Sequence, residues 1–223
     1  GTLTFNAVAP TATISGVTSF SDVKFNYTTD YDLSSITATL ADNSTNQTDV
    51  LVAKTAKSGK IQGDLPMTFK HALAQVVFKA ANADASSQTI TIKKAVLKGS
   101  FQEGDMTATP SESDVTFVWD TGGKTAVDNK TVYENASGQQ LEITATAVGD
   151  PVLVVPMATL DDKQLLELTY DITYPESVSM TDVVGTVALK VDTGTQPATS
   201  WDAGKKYIYT LTFSGPQEIT INP

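Results

Sequence analysis

Hydrophobic and polar residues alternate at period two along most of the chain, the pattern of strands that bury one face. Leu166, Leu168, Tyr170, Ile172 and Tyr174 share one face of a predicted strand, with Glu167, Thr169, Asp171 and Thr173 on the other, up to Pro175. Val183, Gly185, Val187, Leu189 and Val191 repeat the pattern before the turn residues Asp192-Thr193-Gly194, and Tyr207, Tyr209, Leu211 and Phe213 repeat it before Gly215-Pro216. Leu141, Ile143, Ala145 and Ala147 predict a weaker strand. Shorter runs predict strands over 3–9, 23–27, 50–53, 90–97, 115–119 and 219–221. Residues 152–155 are apolar throughout and read as a strand buried on both faces.

Turns rich in Gly, Asn, Asp and Ser separate these runs, and no helical pattern of 10–15 residues intervenes. The fold class is therefore all-β, an antiparallel β-sandwich rather than a set of βαβ units. The best helical candidate is one short turn at Thr159-Leu160-Asp161-Asp162, a weak capping-box pattern.

Between Leu65 and Ala80 the apolar face changes phase, from odd positions (Leu65, Met67, Phe69, Leu73) to even ones (Val76, Phe78, Ala80). One inserted residue explains this, as a β-bulge near Ala74 or Gln75 or a brief helical turn. In the odd register His71 points inward and reads as a buried histidine satisfied by a backbone carbonyl. From Lys54 to Gly63 the alternation gives way to Lys, Ser, Gly and Gln, which places a boundary there: residues 1–62 form a short N-terminal β-domain and residues 63–223 a larger C-terminal sandwich.

Composition narrows the function. Forty per cent of the 223 residues are hydrophobic and 18% charged, enough for a sizeable core. Thr supplies about one residue in seven, which suits pleated, half-exposed surfaces. The net charge is −10, and all 15 basic residues are Lys. A chain with no Arg and this acidity is a poor partner for nucleic acid or anionic membranes. With no Cys and one His, thiolate zinc, iron–sulfur and histidine-based metal sites cannot be assembled. Gly122-Gly123-Lys124 lacks phosphate-loop spacing and reads as a turn. No catalytic, cofactor or metal residue is assigned, and no cofactor is expected.

Two competing chemistries need residues that this chain contains. A glycosidase needs only two suitably spaced carboxylates, for which Asp30 with Asp32, Asp161 with Asp162, and Glu167 with Asp171 are the available pairs. Each reads as a solvated surface. A carbohydrate-binding module needs exposed aromatics, and Trp119, Tyr31 and Tyr133 are the ones not assigned to the core. Asp30-Tyr31-Asp32 and the 43–49 loop offer oxygens without the spacing of a calcium loop.

Four segments carry a resemblance. Trp201-Asp202-Ala203-Gly204-Lys205-Lys206-Tyr207-Ile208-Tyr209-Thr210-Leu211, followed by Glu218-Ile219-Thr220-Ile221, closely resembles the terminal signature of Bacteroidales fimbrillin-like proteins, the type V pilus subunits. Leu65 to Ala74 resembles that family's Phe-x-His-Ala-Leu strand, Gln47 to Ala53 the segment before it, and Val152 to Pro156 its Leu/Val-rich strand ending in Pro. The segments occur in the family's order, within a resemblance from about Leu3 to Ile221.

The resemblance implies two transthyretin-like β-sandwich domains in a secreted lipoprotein precursor bound for the cell surface, the outer membrane or a fimbrium. A protease removes an N-terminal strand after export, and a strand from the next subunit fills the groove. It also implies a further stretch before Leu3-Thr4-Phe5-Asn6-Ala7, carrying the signal peptide and lipid-bearing Cys, so that the N-terminal domain here is truncated. Relatives also continue past the final strand towards a Trp. The expected function is a stalk, tip or adhesin subunit working by β-strand addition, with Ile219 and Ile221 as strand-exchange candidates. The expected partners are other fimbrial subunits, and surface glycans or proteins of host or bacterium.

Overall fold

A computed structural model describes residues 2–9, 24–27, 33–40, 47, 49–58, 63–110, 114–176, 178–192, 197–215 and 218–223. No helix occurs among them. The described strands are β1 (Thr2–Ala9), β2 (Lys24–Tyr27), β3 (Leu33–Thr39), β4 (Leu51–Ser58), β5 (Lys70–His71), β6 (Ala74–Asn82), β7 (Thr89–Lys98), β8 (Ser100–Phe101), β9 (Glu103–Pro110), β10 (Val115–Asp120), β11 (Ala126–Val127), β12 (Lys130–Gln140), β13 (Thr146–Ala147), β14 (Val152–Val154), β15 (Leu165–Thr173), β16 (Ser179–Ala188), β17 (Lys206–Phe213) and β18 (Ile219–Asn222).

Two sheets close around the larger core. One has the order β12-β7-β15-β16 and the other β13-β6-β17-β18, with β14 also paired to β6. Their facing sides bury Phe78, Ile90, Ile92, Leu97, Leu166, Leu168, Tyr170, Ile172, Tyr209, Leu211 and Phe213. The predicted alternation in β15 and β17 is realised, because each odd–even step turns a side chain from core to solvent. Pairing is antiparallel except between β17 and β6, which run parallel.

A smaller core lies between the sheet β1-β4-β5 and the sheet β10-β9-β3-β2. It contains Leu40, Val50, Val52, Ala72, Leu73, Met106, Ala108, Val115 and Val155. Buried Lys54 on β4 reaches across it to donate to the Ala108 carbonyl of β9 at 2.9 Å. β9 pairs with its sequence neighbour β10 on one side and with β3, distant along the chain, on the other. β14 serves both cores: Val152 and Val154 belong to the larger, while Val155 and Leu153 pack in the smaller. The expected burial on both faces is met in part: Val152 and Val154 are fully buried, while Leu153 on the other face is half-buried against the smaller core.

Several expectations are corrected. His71 is exposed, not buried. The odd register was carried across a point where the chain leaves one sheet for another: β5 ends at His71, Ala72 and Leu73 turn into the smaller core, and β6 begins at Ala74 in the larger sandwich. That bend, rather than a bulge at Ala74 or Gln75, changes the phase. The Lys54 stretch stays in strand as far as Ser58, paired with Thr2–Asn6 of β1. Only Thr146 and Ala147 of the weak 141–147 run form a strand, and Ile143 is 70% exposed. The capping pattern at residues 159–162 forms a turn: Asp161 accepts from the Lys163 amide at 2.9 Å while Gln164 accepts from the Asp161 amide at 2.7 Å.

Candidate functional site: the β18 edge

β18 ends its sheet. It pairs with β17 through Thr210↔Asn222, Leu211↔Ile221, Thr212↔Thr220 and Phe213↔Ile219. Its other side faces no strand of that sheet among the described residues, leaving a row of backbone donors and acceptors turned outward. Ile219 and Ile221 are half-buried against the larger core, while Thr220 and Asn222 are exposed. The turn into β18 is closed by the Ser214 amide donating to the Glu218 carbonyl at 3.1 Å.

Ile219 leans across the open side of the sandwich onto β16. A Cβ on Gly185 would stand 3.0 Å from Ile219 Cδ1 and 3.2 Å from the Tyr170 ring, so glycine there makes the notch that both side chains use. Tyr170 meets Phe213 edge-on with ring centroids 5.2 Å apart, and burial pushes its hydroxyl pKa up. The alternate isoleucines of β18 therefore sit in defined apolar seats while its backbone, among the described residues, is held on one side only, a form of contact that recurs in strand addition.

β17, the strand that holds β18, is anchored at its start. Gly204 takes φ +71° in the turn after Trp201, and the Asp202 amide donates to the Tyr207 hydroxyl at 2.8 Å. Trp201 is wholly buried and donates to the Tyr209 hydroxyl at 3.0 Å. Burial pushes the Tyr209 pKa up to about 12, partly offset by that hydrogen bond.

The rival chemistries find no arrangement among the described residues. Glu167 pairs with Lys98 at 2.6 Å, and Asp171 with Lys93 at 2.9 Å. Lys93 sits where β7 slips register against β15, and it also pairs at 3.0 Å with Asp182, which has φ +52° at the facing irregularity of β16. These carboxylates thus tie three strands together on the outer face. Asp30, Asp32 and Tyr31 lie outside the described residues. Trp119 packs on the smaller core and donates to the Ala72 carbonyl at 2.7 Å, whereas Tyr133 packs on the larger core. They form no shared platform.

The sequence profile of the fimbrillin-like family matches residues 1–223. The chain belongs to the fimbrillin-like family. This family is one of structural proteins rather than enzymes. Among solved structures, this fimbrillin-like chain is similar to a candidate cell adhesion protein from Bacteroides uniformis, with 17% identity, TM-score 0.50, and coverage of 85% of this chain and 65% of that one. It is also similar to a fimbrial protein from Bacteroides vulgatus (15% identity, TM-score 0.51, 84% and 66% covered). A candidate cell adhesion protein from Bacteroides ovatus is comparable (17% identity, TM-score 0.51, 100% and 67% covered). The likeness establishes a shared all-β fold. The chain spans just under two thirds of the length of the first two. No curated protein matches it.

One constellation was missed in the sequence: the fimbrillin-like segments, distant along the chain, meet at one place. His71 contacts Asp49, and Gln47 pairs with both backbone groups of Leu153. The Gly204 amide donates to the Leu73 carbonyl at 2.8 Å and the Gln75 amide to the Lys205 carbonyl at 2.9 Å. The resemblance marks each segment and their order, but neither it nor periodicity says which strands become neighbours.

Proposed function

We propose that the chain is a stalk, tip or adhesin subunit of a cell-surface fimbria, and that subunits join by β-strand addition with β18 as the exchanged or exchange-proximal strand. Family membership supports a fimbrial role. The observation that carries the assembly step is that β18 is a four-residue edge strand, paired on one side only among the described residues, whose alternate residues Ile219 and Ile221 occupy apolar seats. Exchange replaces these contacts with equivalent ones in a neighbouring subunit, so little free energy separates the two pairings. Secretion as a lipoprotein precursor to the outer surface, and adhesion to glycans or proteins there, belong to the same reading.

The test is the double variant Ile219→Asp, Ile221→Asp in the full-length, matured protein. Two charges in apolar seats disfavour docking, while β17 and the rest of the core are retained. The expected result is a folded monomer, by circular dichroism, that forms no fibres under electron microscopy. Fibres of normal length would overturn the proposal.

A further inference from the structure

β16 closes one edge of the sheet β12-β7-β15-β16, and its far side faces no strand of that sheet among the described residues. At ten residues it is long for an edge. Edges that stay single are blunted by Lys, Pro or bulges. β12, at the opposite edge, carries Lys130 and Glu134 and slips register at two places against β7. β16 has no Lys, no Pro and a single charged residue, Asp182, in a chain of net charge −10. Its one irregularity against β15 falls at Asp182, so the stretch from Val183 to Ala188 is regular up to the bend at Leu189.

The phase of the backbone along this stretch is fixed. The Leu189 amide donates to the Gln164 carbonyl at 2.9 Å. In an antiparallel ladder every second residue turns both backbone groups to the same neighbour, so Val187, Gly185 and Val183 bond β15 while Val184, Thr186 and Ala188 turn theirs outward. The side chains of those three lie exposed on the outer face, Val184 to 62%. The alternate residues face inward, where Val187 is buried and Gly185 receives Ile219.

We propose that β16 is a docking edge for a second copy of this chain, the two strands pairing antiparallel about a two-fold axis at Thr186. Thr186 then meets the partner's Thr186, and Val184 meets the partner's Ala188, with two backbone hydrogen bonds in each pair because all these groups point outward. Charge selects this register. Asp182, 69% exposed beside Lys93, comes opposite the partner's Lys190, and Asp192, which holds Lys190 at 3.2 Å within one copy, comes opposite the partner's Met180. Sliding one ladder step one way sets Asp182 against the partner's Asp192, and the other way against the partner's Ala188, with no cation. Registers shifted by an odd number set outward groups against residues already bonded to β15. The pairing merges two four-stranded sheets into one. Because it is two-fold, it closes after two copies and does not propagate, so it joins subunits side by side and is independent of the β18 exchange.

Sedimentation velocity of the full chain, at concentrations rising to about 1 mM, should show a monomer–dimer equilibrium. Thr186→Pro removes an outward N–H without touching the β15 ladder, and Val184→Lys places a charge on the edge; each should abolish the dimer while circular dichroism shows a folded monomer. Lys190→Asp should weaken association about 2- to 30-fold, as suits two symmetry-related exposed pairs. The register is read by Thr186→Cys: with no native cysteine, it should form an intermolecular disulfide on mild oxidation far faster than Thr144→Cys, an exposed position outside β16. A wild type still monomeric at about 1 mM, a dimer that persists in folded Thr186→Pro or Val184→Lys, undiminished association of Lys190→Asp, or equal cross-linking of the two cysteine variants would overturn the proposal. None of these readouts involves fibres, so failure here leaves the strand-addition proposal standing, and the reverse.

Discussion

Trp201 donates its indole N–H to the Tyr209 hydroxyl at 3.0 Å, and neither side chain has exposed surface. The bond satisfies two polar groups that the larger core would otherwise strand, and it fixes the segment before β17 against β17, the strand that supports β18. Tyr209→Phe leaves the indole N–H without its partner and should destabilise the fold by about 1–3 kcal/mol in urea denaturation.

The same tyrosine sets an alkaline limit. Its folded-state pKa, about 12, lies above the ordinary value near 10, so its contribution is fully present below about pH 10 and is lost as pH rises towards 12. Wild-type Tm should fall over that window more steeply than that of Tyr209→Phe. Equal slopes would show that Tyr209 does not ionise with unfolding.

Gly185→Ala fills the notch under Ile219 and Tyr170. Since a Cβ at 3.0 to 3.2 Å forces both side chains to move, the expected cost is about 1–3 kcal/mol. Shortening the neighbour should recover part of it, so Gly185→Ala with Ile219→Val is expected to be less destabilised than the two single effects added. Additive denaturation energies would mean that the two residues do not share the seat.

Acid acts through the outer-face carboxylates. Burial raises the Asp171 pKa, but the Lys93 hydrogen bond, the Asp182 amide and the Lys93 charge together hold it below the usual value. Asp114 is held low by its hydrogen bonds from Lys70 and the Val115 amide. Groups with depressed folded pKa values stabilise above about pH 4 and lose that contribution as pH falls through the folded value. Asp171→Asn should therefore lose less Tm between about pH 5 and 3 than the wild type. Parallel loss would exclude Asp171 as a contributor.

The legible parts of the fold were strands whose one buried face is made of large residues and whose ends are marked by turns, such as β15 and β17. β9 was overlooked because its buried face is Gly104, Met106 and Ala108, a period-two pattern too small in volume to stand out. β12 was overlooked because only Lys130 and Val132 on it are buried and its register against β7 shifts before Gly138, which has φ +70°. His71 was misplaced since periodicity holds only within one sheet, and the bend at Ala72 and Leu73 carries no local signal stronger than a phase change. The β18 segment was readable from Ile219 and Ile221 alone. Its seat on Gly185 was not, because that contact joins strands from different sheets.

The assembly proposal is tested most directly by locking β18 reversibly onto its own subunit. Thr212 and Thr220 lie directly opposite each other on β17 and β18, and the native chain has no cysteine to interfere. Opposed positions in an antiparallel pair have a Cα separation of about 4.5–5.5 Å, within the range that a disulfide accepts. The double variant Thr212→Cys, Thr220→Cys, made in full-length matured protein, should remain monomeric by size-exclusion chromatography and electron microscopy when oxidised. Reduction should restore fibres at the wild-type level. Fibres growing equally well from the oxidised protein, with the intramolecular disulfide verified by mass spectrometry, would contradict the claim that β18 must leave its own sheet.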